Sequence, residues 1–430
     1  MHLDFIEISQ TIDSFNDELG SLFAFIEEQY QFLGNKSICV AVSGGSDSLA
    51  LLLLLSFFSK RNNIQLFCVT IDHQLRAESR EEAMYVKSVC DKLGICHEIL
   101  AWSHDKIVDE GKLENLARQA RYNLLIDFCE KRDIQLIATG HTWNDQLETY
   151  ELRKNFGSGQ SGLAGMSQVR SIADNIKIIR PLLHFSKNHL QSFLQQQGIQ
   201  WKTDPMNFDD VFLRVAARKK IAEYSREMIQ NISNEILKFG DQRHQIEKQA
   251  VKFLREYVKI SSFGYAEIEL DSLLKLVTDV QLEIFRRVVW QIGGKQYLPS
   301  ISHKVWRDIL NRKINTIGRC LIKISKGRLL VFRENRNVPF VSADKNTVIW
   351  DNRFVINLPP TLDRSNILIK GCDVTNCIES FNEIPRSALP GFPCLSSNHQ
   401  VEYSLDKWVE DVSFIIKPDL FDIYYGGESA

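Results

Sequence analysis

Short apolar runs alternate with longer amphipathic ones along the first half of the chain. Residues 38–42, 65–71, 97–101, 134–139 and 176–179 are apolar runs of strand length bounded by polar or glycine-containing turns, which predicts strands. The stretches 49–58, 81–93, 113–130 and 144–154 between them predict helices. Strands that alternate with helices predict an α/β fold with a parallel sheet covered on both faces. Such a sheet binds ligands outside the carboxyl ends of its strands. Ser43, Asp72 and His141 each stand at such an end.

The pattern changes downstream. Residues 1–36 read as a helical lead-in, and 205–258 as helical and charged with no strand signal. The 260–336 stretch adds helices and ends in a hairpin-like pair, LIKI-SKG-RLLVF. The last ninety or so residues hold short strands and turns. The expected organisation is a parallel-sheet nucleotide-binding domain over 1–220, a mainly helical basic domain over 221–340 and a small α+β domain over 341–430.

Composition narrows the class. The 430 residues are 44% hydrophobic and 25% charged, as in ordinary globular proteins. The longest apolar run, 49–58, is too short to span a bilayer, and the acidic start has no signal-peptide character. Nine cysteines without a CxxC pair read as reduced thiols in a cytoplasmic protein, and argue against a zinc or iron–sulfur site. The net charge of −2 is unevenly spread. Residues 295–336 hold eleven Lys/Arg and two acids, whereas 337–430 hold seven and thirteen. The basic block suggests a polyanionic partner such as nucleic acid, or else a solvated face.

The sharpest chemistry lies in Ser43-Gly44-Gly45-Ser46-Asp47-Ser48, between the first strand and the first helix. Two glycines permit a tight turn and close approach to a ligand. The helix start presents unpaired N–H groups, and the serines add hydroxyls. Together they suit a phosphate or pyrophosphate, although no GxxxxGK[ST] loop is present. A carboxylate among phosphates needs a bridging cation, so Asp47 points to Mg²⁺; alternatively it caps the helix. Asp145 and Glu148, three apart on one helix face, form a carboxylate pair, while Thr142 with Asp145 also fits a capping box.

The 43–48 turn resembles the SGGxDS loop of the N-type ATP pyrophosphatases, the PP-loop superfamily. Three further stretches are similar to motifs of the bacterial tRNA(Ile)-lysidine synthase family. They are Ile71-Asp72-His73-Gln74-Leu75-Arg76, the run from Glu114 to Tyr122 containing Arg118 and Arg121, and the run from Gly140 to Thr149. The glycine-rich stretch from Gly157 to Met166 resembles that family's GSGxxGLxGM. The resemblance implies cleavage of ATP to AMP and pyrophosphate, adenylation of the wobble cytidine of the CAU-anticodon isoleucine tRNA, and attack by free L-lysine to give lysidine. Codon reading then switches from AUG to AUA.

Carried onto this chain, the resemblance assigns ATP to Ser43, Gly44, Gly45, Ser46, Asp47, Ser48, Asp72 and His73. It assigns tRNA to Arg118, Arg121, Arg214 and Arg218, catalysis to Asp47, Asp145 and Glu148, and Mg²⁺ to Asp47 and Asp145. It is compatible with a homodimer and calls for no membrane. Asp72-His73 could otherwise simply end a strand, and the arginines could be surface charges. Four positions depart from the family pattern: Phe156 and Val215 replace Arg and Asn, and Thr203 and Met206 replace Glu and Ser. An unusual polar run, Tyr150 to Asn155, follows the carboxylate pair. The alternatives are a tRNA thiolation enzyme of the same superfamily, which would need a reactive cysteine set, and a non-catalytic RNA-binding protein.

Overall fold

The computed structural model describes residues 16–33, 37–74, 78–102, 110–173, 175–202, 210–295, 298–358, 367–372, 385–397, 412–415 and 420. The chain divides into two compact units, one running up to His244 and the other beginning at Gln245.

The first unit runs α1 (Asn16–Leu33), β1 (Ser37–Ala41), α2 (Ser46–Asn62), β2 (Gln65–Asp72), α3 (Glu78–Leu93), β3 (Cys96–Ala101), α4 (Glu110–Glu130) and β4 (Leu136–Thr139). It continues with α5 (Trp143–Asn155), α6 (Gln160–Leu163), β5 (Val169–Ala173), β6 (Ile176–Ile179), α7 (Lys187–Gln196), α8 (Asp210–Ala222) and α9 (Arg226–Tyr257), and the boundary between units falls within α9. The sheet order is β3-β2-β1-β4-β6-β5. All neighbours are parallel except the β5–β6 pair.

All five predicted strands are present. The sixth, β5, is an antiparallel edge with a register shift between Ser171 and Ala173. Only alternate residues at its start are buried, so it lacks the continuous apolar signature of the interior strands.

The order of the strands places the site. From β1 the chain proceeds outward through β2 and β3, then returns to the other side of β1 for β4 and β6. The connections after β1 and β4 therefore diverge, and a crevice opens between the carboxyl ends of these two strands. One sheet face is covered by α2, whose leucines are buried all round against α1, α3 and α7. The other face is covered by α4 through Leu125, Phe128 and Cys129.

The second unit begins with β7 (Val258–Ile260), β8 (Ala266–Glu269), α10 (Leu270–Leu274), α11 (Thr278–Ile292), α12 (His303–Leu310), β9 (Thr316–Ile317), β10 (Cys320–Ser325) and β11 (Arg328–Arg333). It ends with β12 (Val341–Ser342), β13 (Thr347–Trp350), β14 (Phe354–Asn357), β15 (Ile367–Gly371), β16 (Pro393–Ser397) and β17 (Val412–Phe414). The hairpin read from the sequence is β10–β11, turning at Lys326 and Gly327, both with positive φ. Alongside the helices the basic stretch also carries a five-stranded sheet, β7-β8-β11-β10-β9. Strands of two to four residues leave no periodic signal, and β7, β8 and β9 form only by pairing with the hairpin or with each other.

Two arginines of the basic block, Arg319 and Arg333, turn inward toward a carboxylate that they share with Arg353. Arg333 and Arg353 are fully buried and both donate to Asp351, each through Nε at 2.8 Å. Arg319 reaches the same carboxylate at 2.9 Å. The remaining guanidinium donors of Arg333 and Arg353 meet backbone carbonyls, including those of Glu334, Asn337, Gly264 and Gly391. Arg319 and Arg333 are therefore structural, and the exposed charge of the block lies elsewhere, in Lys304, Arg307, Arg312 and Lys313.

Among the described residues no helix is long and apolar enough to cross a membrane, and all eight cysteines are free.

Removing the shared carboxylate leaves two buried guanidinium groups without a counter-charge. Asp351→Ala is expected to destabilise the second unit by about 3–5 kcal/mol. Urea unfolding followed by tryptophan fluorescence, with Trp350 as a local reporter, measures it. A loss below about 1 kcal/mol would show that the arginines are held by the carbonyls alone.

Candidate active site

In the turn from β1 into α2, Ser43 is exposed while Gly44, Ser46 and Ser48 are buried. Gly44 has φ of +88°, which only glycine adopts without strain. Gly45 precedes the helix without a side-chain cap, so the first N–H groups of α2 are not consumed by one. The serines brace the turn from within. The Ser43 N–H donates to Ser48 Oγ at 3.2 Å, and the Ser48 hydroxyl donates to the Gly45 carbonyl at 3.0 Å. The Gly44 carbonyl is held by the Lys202 N–H at 3.0 Å. Residues 43–48 are thus held as one braced turn at the carboxyl end of β1.

Across the crevice, Gly140 follows β4 and abuts this turn. A Cβ at Gly140 would lie 2.9 Å from Ser48 N and 3.0 Å from the Asp47 carbonyl carbon and oxygen. No side chain fits there, and the contact brings the start of α5 against the start of α2.

Asp145 and Glu148 lie in the first two turns of α5. Asp145 Oδ2 accepts from the Thr142 N–H at 2.7 Å and from the Thr142 hydroxyl at 3.0 Å. The capping role read from the sequence is thus real, and it employs one carboxylate oxygen. Glu148 is buried and held in bidentate fashion by Arg218 of α8, with Nε to Oε1 at 2.6 Å and Nη2 to Oε2 at 3.3 Å. Burial pushes the Asp47 carboxyl above its ordinary range. Lys187 and the Ser46 hydroxyl oppose the shift, while Asp145 and Glu148 reinforce it. Arg218 senses all three carboxylates. The three residues assigned to catalysis therefore share one electrostatic site.

The other assigned arginines border it. His141 is pushed down to about 4 by burial and by Arg180, Arg118 and Arg214, against the pull of Asp145. It is neutral at physiological pH, with Nδ1 3.0 Å from the Thr139 hydroxyl. The Nε atoms of Arg180 and Arg214 are buried and have no hydrogen-bond partner among the described residues. Arg118 lies over the Tyr122 ring at 5.2 Å. Arg121 Nη2 is 3.2 Å from His73 Nε2, which joins a residue assigned to tRNA with one assigned to ATP. Asp72 is buried at the end of β2, and its Oδ1 accepts the Gln74 N–H at 2.9 Å to close a local turn. His73 packs edge-on to Trp102.

The polar run after Glu148 has its own partners. Glu151 is fully buried, with Lys220 at 2.6 Å and the Tyr224 hydroxyl on its other oxygen. Burial alone would raise the Glu151 carboxyl, but these donors outweigh it and hold it below its ordinary range. Tyr150 donates to Glu235. Gln146 bonds both backbone groups of Met166, to N at 2.6 Å and to the carbonyl at 3.0 Å. Arg153 donates to the carbonyls of Gly162 and Gly165. These contacts tie the glycine-rich stretch to α5.

Phe156, where the family pattern has arginine, ends α5 and is 72% exposed. Nothing in the structure explains that replacement. Val215 sits in α8 between Arg214 and Arg218, both of which are placed at the site. Thr203 and Met206 lie outside the described residues.

Sequence reasoning gave no role to Gly140, which opens the 140–149 motif stretch, and missed Arg180 and Lys187. Gly140 and Arg180 each directly follow an interior strand, the position where ligand crevices of open parallel sheets lie, and that signal could have found them. Lys187, whose Nζ is 3.9 Å from Asp47 Oδ2, has no such signal.

Among the described residues no three His, Cys, Asp or Glu side chains form a ready cage for a metal ion. Mg²⁺ does not need one, because it takes one or two carboxylates together with phosphate oxygens and water. Asp47 at the rim of the cradle and the second oxygen of Asp145 are donors of that type.

The approach at Gly140 is directly testable. Gly140→Ala must displace the turn by several tenths of an ångström, and is expected to lower ATP-dependent turnover on the order of 100-fold while the fold is kept. Steady-state pyrophosphate release beside a thermal unfolding curve measures it. Unchanged turnover would show that the two loops do not work as one site.

Comparison with known proteins agrees with this geometry. A family model described as a PP-loop domain matches residues 18–224. The tRNA(Ile)-lysidine synthase of Orientia tsutsugamushi (strain Boryong) is 30% identical over 92% of this chain and 96% of its own length. That of Rickettsia bellii (strain OSU 85-389) is 31% identical over 81% of this chain and 79% of its own. That of Wolbachia pipientis wMel is 28% identical over 96% of this chain and 94% of its own. The match spans both units, and on it this chain belongs to the tRNA(Ile)-lysidine synthase family.

Proposed function

We propose that this chain ligates L-lysine to C2 of the wobble cytidine of the CAU-anticodon isoleucine tRNA, with ATP cleaved to AMP and pyrophosphate. The observation that carries the reading is the close approach of Gly140 to the Asp47–Ser48 backbone, which brings the helix of Asp145 and the Arg218-held Glu148 against the 43–48 turn.

The chemistry has two steps. The O2 oxygen of cytosine attacks the α-phosphorus of ATP, the bond to the β-phosphate oxygen breaks, and pyrophosphate leaves. The oxygen is then part of a good leaving group. The neutral ε-amine of lysine attacks C2, the C2–O2 bond breaks, and AMP departs with that oxygen. The amine loses a proton on the way. The N–H groups at the start of α2 and the serine hydroxyls hold the phosphates. Asp47 and Asp145 are the residues that would hold Mg²⁺, which when bound offsets the charge on the departing pyrophosphate.

The two carboxylates of α5 have different capacities. Both oxygens of Glu148 are engaged by Arg218, so Glu148 positions that guanidinium. Asp145 uses only Oδ2 in its cap, and Oδ1 remains to accept a proton from the amine or to face a cation. Arg118, Arg180 and Arg214 around neutral His141 suit the anions of the incoming tRNA. On the second unit, Lys304, Arg307, Arg312 and Lys313 are exposed on and just after α12 and offer a track for the phosphate backbone.

A thiolation reaction fits less well. It requires a cysteine at the carboxyl ends of the strands. Among the described residues of the first unit, Cys39 and Cys68 lie within strands, Cys90 and Cys129 within helices, and Cys96 at the amino end of β3.

The test is to incubate the chain with ATP, labelled lysine and tRNA bearing a CAU anticodon, then digest the RNA and look for lysine on cytidine. Lysidine is the expected product, and intact tRNA binding without incorporation would refute the reading. Asp47→Asn is expected to cut pyrophosphate release on the order of 100-fold while tRNA affinity is largely kept. Wild-type release would remove Asp47 from the chemistry.

A further inference from the structure

The cradle carries an electrostatic deficit. Its own residues are two glycines, three serines and an aspartate, so it offers N–H and O–H donors and one negative charge but no cation. A Walker loop solves the same problem with a lysine inside the loop, which reaches the β- and γ-phosphates. Here a cation must come from another element.

Among the described residues, Lys187 and Arg218 are cations whose charge bears on Asp47. Arg218 is committed, because Glu148 grips it through both oxygens. Lys187 is not committed. Its Nζ is 3.9 Å from Asp47 Oδ2, beyond the range of a hydrogen bond, and its side chain is 48% exposed. The base of this side chain is firmly placed. Lys187 is the first residue of α7, which packs along α2. Its N–H donates to Asn144 Oδ1 of α5 at 2.8 Å, and Ser186 Oγ caps the helix by accepting the His189 N–H at 3.3 Å. The backbone is thus clamped between the two elements that bear the site, while the ammonium is drawn to the cradle rim and left able to turn. An ammonium on a flexible stem is a point-charge binder of phosphate.

We propose that Lys187 binds the polyphosphate tail of ATP, its ammonium passing from Asp47 in the free protein to the β- and γ-phosphate oxygens of the bound nucleotide. This assignment rests on the reading of the 43–48 turn as the phosphate site of ATP. It makes Lys187 the residue that distinguishes a triphosphate from a monophosphate. AMP and pyrophosphate then leave a site that holds them unequally, because only pyrophosphate retains the contact.

The experiment is isothermal calorimetry on the full chain with Mg²⁺, without tRNA or lysine, so that binding is read without turnover. ATP, pyrophosphate and AMP are titrated into wild type, Lys187→Ala and Lys187→Arg. The expected result is that Lys187→Ala weakens ATP and pyrophosphate about 10- to 100-fold and leaves AMP unchanged. Lys187→Arg, which keeps the charge, restores most of the loss. Equal ATP affinity in wild type and Lys187→Ala would overturn the proposal, as would an equal loss for AMP and ATP, which would mark a structural effect. Failure of wild type itself to bind ATP would overturn the phosphate-site reading and the proposal with it, a result distinct from either of the others.

Discussion

The site depends on one backbone contact, the approach of Gly140 to the first turn of α2. Here β4 and β1 are neighbours in the sheet, and the chain leaves them in different directions. A side chain at residue 140 would force the two exits apart. With glycine there, the turn bearing Asp47 and the helix bearing Asp145 and Glu148 meet over the crevice. The fold creates the crevice, and the missing Cβ lets its two rims meet. Burial of α2 on all sides by leucines keeps the cradle rigid, which preorganised electrostatic stabilisation requires.

That closeness has a consequence for charge. Three carboxylates converge, and the Asp47 carboxyl is raised by burial and by the other two. Arg218 neutralises Glu148 directly, Thr142 anchors Asp145, and Lys187 attends Asp47 loosely. On the other flank, arginines surround a histidine that stays neutral because burial and their charge both oppose its protonation. His141 thus adds no positive charge and does not titrate near neutrality. A group of carboxylates thus stands beside a border of arginines.

Much of this was legible in the sequence. The interior strands show as apolar runs because both of their faces are buried, and the strand-end residues Ser43, Asp72 and His141 follow from that pattern. The Thr142–Asp145 cap was also readable, because it is local. What was not readable depends on distance in the chain or on burial. Glu148 and Arg218 are 70 residues apart, and nothing local pairs them. Lys187 looks like any lysine at a helix start. The edge strand β5 is half exposed and loses the apolar signature. The basic block counts eleven cations, but a count cannot tell that Arg319 and Arg333 turn in toward Asp351 while Lys304 and Arg307 face out.

In the proposed reaction this one crevice activates the tRNA rather than the amino acid. The most direct measurement supplies ATP labelled at the α-phosphorus, with CAU-anticodon tRNA present and lysine withheld, and follows the label. Label is expected on the wobble cytidine of the tRNA, released as AMP once lysine is added, and none is expected from ATP labelled at the γ-phosphorus. Label that never reaches the tRNA, or a lysyl adenylate formed without tRNA, would contradict that reaction.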